Sequence, residues 1–406
     1  MKSFLISSFI ATAAADLAGE FKAWQQAHGK MYASASDRAA RLAVWTANRD
    51  FVNAHNAKFF AGRTSFRMRL NSLGDLSHEE YKTTMLGGAR ALHFEVGAQV
   101  ITSATAPDSF DLRSTGVVVP VKDQGQCGSC WAFSAVAAME GAYNKNSNGT
   151  VPPDCAYTCG PSATPCCSFS EQELVDCVAD GKDTCNTGGS PADGVNYVSG
   201  TKKGLVSTET EYKYTSGGGT SSGKCRTPTT GGVATGITGF AQVKQGDEAG
   251  AKEAVYAHST LSIGIDASQQ SFQFYSSGVY IEEACKNGPD DLDHGVAIVG
   301  YGLSSGPPGP APSPYPDCVG NADAAHCEAA PKCHWCADAF FCSNDPCAAS
   351  SAQRAAPVAS GNGTMTAYWI VRNSWAASWG MDGYILMAKD RDNQCGVATN
   401  AIWATM

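Results

Sequence analysis

The chain has 406 residues, 43% hydrophobic and 17% charged, with 17 cysteines. That length allows a large core and two or three folding units. A formal net charge of −9 leaves no basic stripe to neutralise phosphates, so nucleic-acid binding is not expected, and the acidity otherwise reads as a solubility feature. So many cysteines point to an oxidising compartment, and an odd number leaves at least one thiol unpaired.

The N-terminus fits export. Lys2 precedes an apolar run from Phe4 to Ala15, and Ala13-Ala14-Ala15 is a small-residue cleavage pattern, so residues 1–15 read as a signal peptide. The run is too short to span a bilayer, and no later stretch reaches the length of about 18 apolar residues that a span needs. Asn148-Gly149-Thr150 and Asn362-Gly363-Thr364 are glycosylation sequons. Residues 16 to 90 read as helical: Leu17, Phe21 and Trp24 sit at helical spacing behind Asp16, and Arg41, Trp45, Asn48, Val52 and Asn56 share one helix face. Residues 87–109 are rich in small residues and end in Ala106-Pro107-Asp108, an exposed connector open to proteolysis.

From about residue 110 the composition changes. An apolar helix is expected over 130–143 and short helices over 170–178 and 191–198. After residue 230 the pattern turns β-like, with strands at 261–265, 296–301, 368–371 and 384–387. Helices first and strands second argue for an α+β architecture in two lobes. Two stretches look inserted. Residues 147–168 carry Cys155, Cys159, Cys166 and Cys167; residues 303–366 carry six cysteines between flexible linkers.

The most informative segment is Gln124-Gly125-Gln126-Cys127-Gly128-Ser129-Cys130-Trp131. A thiol is a poor nucleophile until it loses its proton, and a helix N-terminus offers unpaired N–H groups and the positive dipole end that favour the thiolate of Cys130. Gly128 lets a substrate backbone approach, and the Gln124 amide can serve a developing oxyanion beside the Cys130 N–H. Read alone, the Cys-x-x-Cys is also open to a redox pair or half a zinc site.

This segment resembles the signature of the papain family of cysteine peptidases. Leu292-Asp293-His294-Gly295-Val296-Ala297 and Asn373-Ser374-Trp375 resemble its histidine and asparagine motifs. The resemblance implies a papain-like fold with a helical left lobe, an antiparallel β-barrel-like right lobe and an N-terminal helical propeptide. It implies that Cys130 and His294 form a thiolate–imidazolium pair, that Asn373 orients the imidazole, and that Trp375 covers their bond from water. The helix motif at Asp37, Arg41, Trp45, Asn48, Val52 and Asn56, followed loosely by Asn71, Leu73 and Asp75, is similar to the inhibitory propeptide of the cathepsin L-like branch. Residues 16–105 are then the propeptide and 106–406 the peptidase domain. Its usual bridges map onto Cys127–Cys185, Cys177–Cys225 and Cys285–Cys395, leaving Cys130 free and an even number of cysteines in each insert. Zinc bound by His326, Cys327, Cys333, His334 and Cys336 is the rival reading of the second insert, and the expectation is no metal and no cofactor.

Two departures stand out. Ala376 follows Trp375 where the family usually has glycine, and His294 and Asn373 are 79 positions apart, far more than the family spacing. The insert at 303–366 accounts for the excess: looped out between neighbouring strands it leaves the geometry intact, and folded over the cleft it gates access. By resemblance, Ser190, Pro191, Gly264, Leu292 and Asn400 line the S2 subsite, with Asp293 beside them and Gly128 and Gly189 holding substrate backbone near S1. Small Ser190 and Gly264 and uncharged Asn400 imply bulky apolar residues at P2. The expected activity is that of a monomeric endopeptidase of general protein catabolism. It is made as a zymogen that its own propeptide inhibits, acts on polypeptides, and resides in a lysosome, a vacuole or outside the cell. The competing classes are a catalytically silent binding module, a thiol oxidoreductase using Cys127 with Cys130, and an exopeptidase whose cleft an insert blocks.

Overall fold

The computed structural model describes residues 17–86, 98–99, 105–178, 184–221, 224–226, 231–304, 334–336, 341–343 and 365–406. The expected signal peptide, the Asn362 sequon and nearly all of the second insert, including the cysteine pairing and the zinc alternative there, lie outside these residues. Two compact units emerge: one of Met1–His78, Phe274–Ser276 and Ser305–Thr364, the other of Glu79–Gln273, Ser277–Ser304 and Met365–Met406.

In the first unit, helix α1 covers residues 17–27 and α2 runs Ala35–Phe60, capped by the Ser34 side chain, which accepts from Asp37 N–H. Phe21, Trp24 and Trp45 stack into a buried aromatic cluster, with Phe21 and Trp45 centroids 5.5 Å apart. The polar members of the expected α2 face hold backbone. Asn48 donates to the carbonyls of Gly74 and Leu76, Arg41 to that of Asp75, and Asn56 brackets Met68 in strand β1, Phe66–Met68. These bonds satisfy backbone carbonyls, and for Asn56 also a backbone N–H, at Met68 and Gly74–Leu76. Asp75, also buried, accepts from Lys30 Nζ and Tyr32 OH. In this unit Phe274 O accepts from Arg69 N–H, and a two-stranded hairpin joins His334–Cys336 to Phe341–Ser343.

The second unit opens with helix α3, His78–Met85, and is organised by α4, Cys130–Ser147. Alanine, Met139 and aromatic residues make α4 apolar almost all round, so it is buried along most of its length. It ends where Asn148 and Gly149 turn left-handed. Helix α4 is followed by a hairpin, β2 (Ala156–Cys159) with β3 (Thr164–Cys167), then α5 (Glu171–Cys177) and α6 (Pro191–Asn196). The hairpin is the first insert, and its cysteines pair as Cys155–Cys167 and Cys159–Cys166.

Strands β4 (Gly239–Gln242), β5 (Leu261–Ile265), β6 (Tyr275–Tyr280), β7 (His294–Ser304), β8 (Thr366–Arg372), β9 (Tyr384–Ala388) and β10 (Ile402–Thr405) form one sheet in the order β6-β9-β8-β7-β5-β10-β4. The α+β expectation stands, but the path is open rather than a closed barrel, and β6 runs parallel to β9. A further correction concerns the region after residue 230. Helix α7, Glu248–His258, interrupts the strands there, capped by Asp247 and rich in alanine and charged helix formers. Helix α4 lies against β5 and β7: Ser134 Oγ donates to Val296 O and bonds Ser262 Oγ, both at 2.6 Å. A Cβ on Gly141 would come within 2.5 Å of Thr260 Oγ1.

Candidate active site

The antiparallel register of β7 with β8 pairs Ala297 with Arg372 at one end and Ser304 with Thr366 at the other. His294 opens β7 and Asn373 follows β8, so both lie at the first end. Residues 305–365 leave and return at the opposite end, about 30 Å away by strand rise. The connection between β7 and β8 therefore starts and ends away from His294 and Asn373. His294 Nε2 and Asn373 Oδ1 are 2.8 Å apart, and Asn373 Oδ1 also accepts from Ser374 N–H. An oxygen that only accepts requires the imidazole proton on Nε2, which leaves the Nδ1 lone pair without a partner. The His294 ring lies under Trp375, centroids 4.8 Å apart, with Phe272 and Trp379 completing an aromatic enclosure.

Cys130 is the first residue of α4 and the one free thiol among the residues whose side chains are described. Its N-cap neighbour, Ser129, spends its hydroxyl on Tyr214 OH rather than on the helix. The backbone N–H groups of Gly295, Trp131 and Cys130 itself instead bear on the sulfur. Gly295 permits this approach, because a Cβ there would lie 3.0 Å from Cys130 O. Burial pushes the Cys130 thiol up to about 11 against the pull of those N–H groups. Burial likewise pushes His294 down to about 4, against the opposing bond to Asn373. Burial thus works against the charged form of each group.

Gln124 is fully buried and held at every polar atom. Its Oε1 accepts from Ser374 Oγ at 2.6 Å and from Trp375 Nε1 at 3.2 Å. Its Nε2 donates to Cys127 O at 2.9 Å and to Met85 O, at the end of α3, at 3.0 Å. Tyr81 of α3 donates to Ala267 O at 2.7 Å and meets Trp375 edge-on. Cys127 is bridged to Cys185, and Gly128 N–H donates to Cys185 O, so Cys127 is not a free partner for a redox role. The other two expected bridges, Cys177–Cys225 and Cys285–Cys395, are formed.

Gly189 lies on the Trp131 ring, where a Cβ would be 2.5 Å from Cε2. Ser190 and Pro191 open α6, and Ser190 Oγ is buried without a partner. Gly264 pairs with Gly295 across β5 and β7, and its N–H donates to Asn400 Oδ1 at 2.9 Å. Leu292 is buried against Gly396. Asp293 accepts from Ala267 N–H, and burial pushes its carboxyl up to about 7 against that bond. Ala376 takes φ +60°, keeping the turn that glycine would make more easily. Among the described residues no group of three or more His, Cys, Asp or Glu side chains could hold a metal ion, and no helix is long and apolar enough to cross a membrane.

Gly295 and Ser374 enter the sequence reading only as members of motifs, without roles of their own, and Phe272 and Met85 do not enter it. Gly295 and Ser374 flank motif residues, and that adjacency is a usable signal. Met85 acts through its backbone, for which a side-chain pattern carries none.

Residues 106–309 and 342–405 match the family model described as papain family cysteine protease, and residues 21–81 match the cathepsin propeptide inhibitor domain (I29). The chain is 33% identical over 397 residues to cathepsin L of Sarcophaga peregrina, covering 95% of this chain and 92% of that protein. It is 33% identical over 380 residues to procathepsin L of Rattus norvegicus, covering 93% and 89%. Among solved structures, the digestive procathepsin L2 proteinase of Tenebrio molitor larval midgut superposes with a TM-score of 0.70 at 26% identity, covering 96% of this chain and all of that one.

Proposed function

Because the chain belongs to the papain family of cysteine proteases, as a cathepsin L-like endopeptidase precursor carrying its own inhibitory propeptide, we propose that Cys130, His294, Asn373 and Gln124 carry its catalysis. His294 Nδ1 takes the thiol proton and Cys130 sulfur attacks the scissile carbonyl. The oxyanion is met by Gln124 Nε2 and the Cys130 N–H. Collapse expels the amine, which takes the proton from His294, and leaves a thioester that water hydrolyses with His294 as base. Asn373 fixes the imidazole. The observation that carries this reading is the 2.8 Å His294–Asn373 bond, which leaves Nδ1 without a partner next in sequence to Gly295, whose N–H bears on the free thiol.

The resting state supports zymogen control. Met85 O occupies the Gln124 donor, and burial works against charge on both thiol and imidazole. Removing residues 16–105 frees the donor and admits water. The S2 reading rests on Ser190, Pro191, Gly264, Leu292 and Asn400, with Asp293 beside them and Gly128 and Gly189 along the substrate backbone. Asn400 is uncharged and spends its oxygen on Gly264, which favours bulky apolar P2 residues. The leader at 1–15, the bridges and exposed Asn148 in its sequon support passage through the secretory pathway to a lysosome, a vacuole or the outside. The role assigned is general protein catabolism by a monomer.

The test is to hold the purified precursor in mildly acidic buffer and follow N-terminal trimming together with cleavage of a dipeptidyl reporter. Trimming with rising turnover is expected, abolished by Cys130→Ser. Turnover by the Ser variant would overturn the mechanism, and a library profile favouring Arg at P2 would overturn the S2 reading.

A further inference from the structure

Thr105 is exposed and Ala106 is buried, so the chain enters the peptidase unit at the bond between them. There Ala106 N–H faces both oxygens of Glu253 on α7, at 3.2 Å and 3.1 Å. One uncharged amide hydrogen is thus shared by a whole carboxylate. Tyr301 of β7 adds a second unused acceptor, since its buried hydroxyl has no partner. Burial raises that phenol, and the charges of Glu253 and Asp108 raise it further, which marks them as electrostatic neighbours. The segment is held in place by Phe110–Asp111, which pairs with Tyr301 and Gly300. The nearby cation is Lys252, whose ammonium sits 5.5 Å over the Tyr301 ring. The pocket therefore offers more acceptors and more negative charge than a peptide N–H can use.

We propose that Glu253 is an anchor for a new N-terminus: cleavage of the Thr105–Ala106 bond turns the Ala106 amide into an α-ammonium that the Glu253 carboxylate holds. Water adds its oxygen to the Thr105 carbonyl carbon and the C–N bond breaks. The Ala106 nitrogen takes one proton from that water and another from solvent. The product has three N–H donors and a positive charge where one neutral donor stood, which strengthens the contact with Glu253. Peptidases trimming the connector stop where the chain becomes buried and its end becomes ion-paired.

This inference rests on the reading that the precursor is trimmed, and the experiment separates the two. The processed enzyme, labelled with 13C-alanine, is sequenced from its N-terminus, and its α-amine is titrated by NMR through the Ala106 Cβ shift. The expected first residue is Ala106. Its amine should titrate about one unit above the ordinary α-amino value near 8, and above the same amine in Glu253→Gln. A free Ala-Pro-Asp peptide gives a second reference should that variant fold poorly. A different terminus on an enzyme that turns over reporter overturns the anchor and leaves the peptidase standing. So does an amine that titrates as in the peptide. Absence of both trimming and turnover overturns both.

Discussion

Met85 O and Gln124 Nε2 lie 3.0 Å apart, so the amide assigned to the oxyanion is already engaged by a carbonyl of the N-terminal segment. The contact gives that amide a protein acceptor in place of the oxyanion it is proposed to bind. It uses main chain only, which leaves the side chains of α3 free to bind elsewhere, as Tyr81 does on Ala267.

Gln124→Glu keeps an oxygen for Ser374 and Trp375 but removes the N–H. In the processed enzyme kcat should fall roughly 10²- to 10³-fold, as for loss of one oxyanion donor, with KM for a dipeptidyl reporter little changed. A loss confined to KM would remove Gln124 from the oxyanion role.

The thiol also has a pH signature. With Cys130 pushed up to about 11, its alkylation in the precursor should be slow at neutral pH and rise about tenfold per pH unit toward that value, since only the thiolate reacts. Maturation should move the onset to lower pH. Stopped-flow labelling of Cys130→Ala as the blank reads this directly, and identical profiles before and after trimming would refute the burial effect on the thiol.

At residue 376 the fold carries a cost. Ala376 holds φ +60°, where an L-residue is disfavoured by roughly 1–2 kcal/mol. Ala376→Gly should raise the unfolding midpoint, with a gain of about 1 kcal/mol after glycine's entropy is counted, and should leave kcat unaltered.

Replacing residues 305–365 with an Asn-Gly turn should preserve both fold and turnover, because Ser304 and Thr366 are already cross-strand partners. The reporter kcat/KM should stay within about twofold of the parent; a collapse would mean that the insert reaches the catalytic end.

Much of the site was legible because its chemistry sits in short segments. Cys130 opens an apolar helix, and His294 and Asn373 are flanked by diagnostic neighbours. The strand bearing His294 was expected only from Val296, because Asp293-His294-Gly295 lacks β-type residues; pairing of His294 with Ile265 and Gly295 with Gly264 extends it. Helix α7 was missed because its flanks are β-rich and its own signal is mainly alanine. The shared acceptor of Ser374 and Trp375 is 250 residues away in Gln124, and no local pattern encodes such a meeting. The pairing inside the first insert, diagonal across the hairpin with Ala156 facing Cys167 and Cys159 facing Thr164, was left open by spacing alone.

The length of the β7–β8 connection also bears on the order of assembly. Strands β7 and β8 are joined by about 60 residues, so their meeting costs roughly 3 kcal/mol more chain entropy than a tight hairpin. Strand β9 follows β8 after only a short connection, with Arg372 opposite Tyr384. The β8–β9 ladder should therefore zip early and β7 dock late; pulse-labelled hydrogen exchange reads that sequence as earlier protection of Ile385 than of Ile298. The imidazole then reaches Asn373 only when the sheet is otherwise built, and a half-formed nascent chain carries no armed nucleophile to turn on its neighbours.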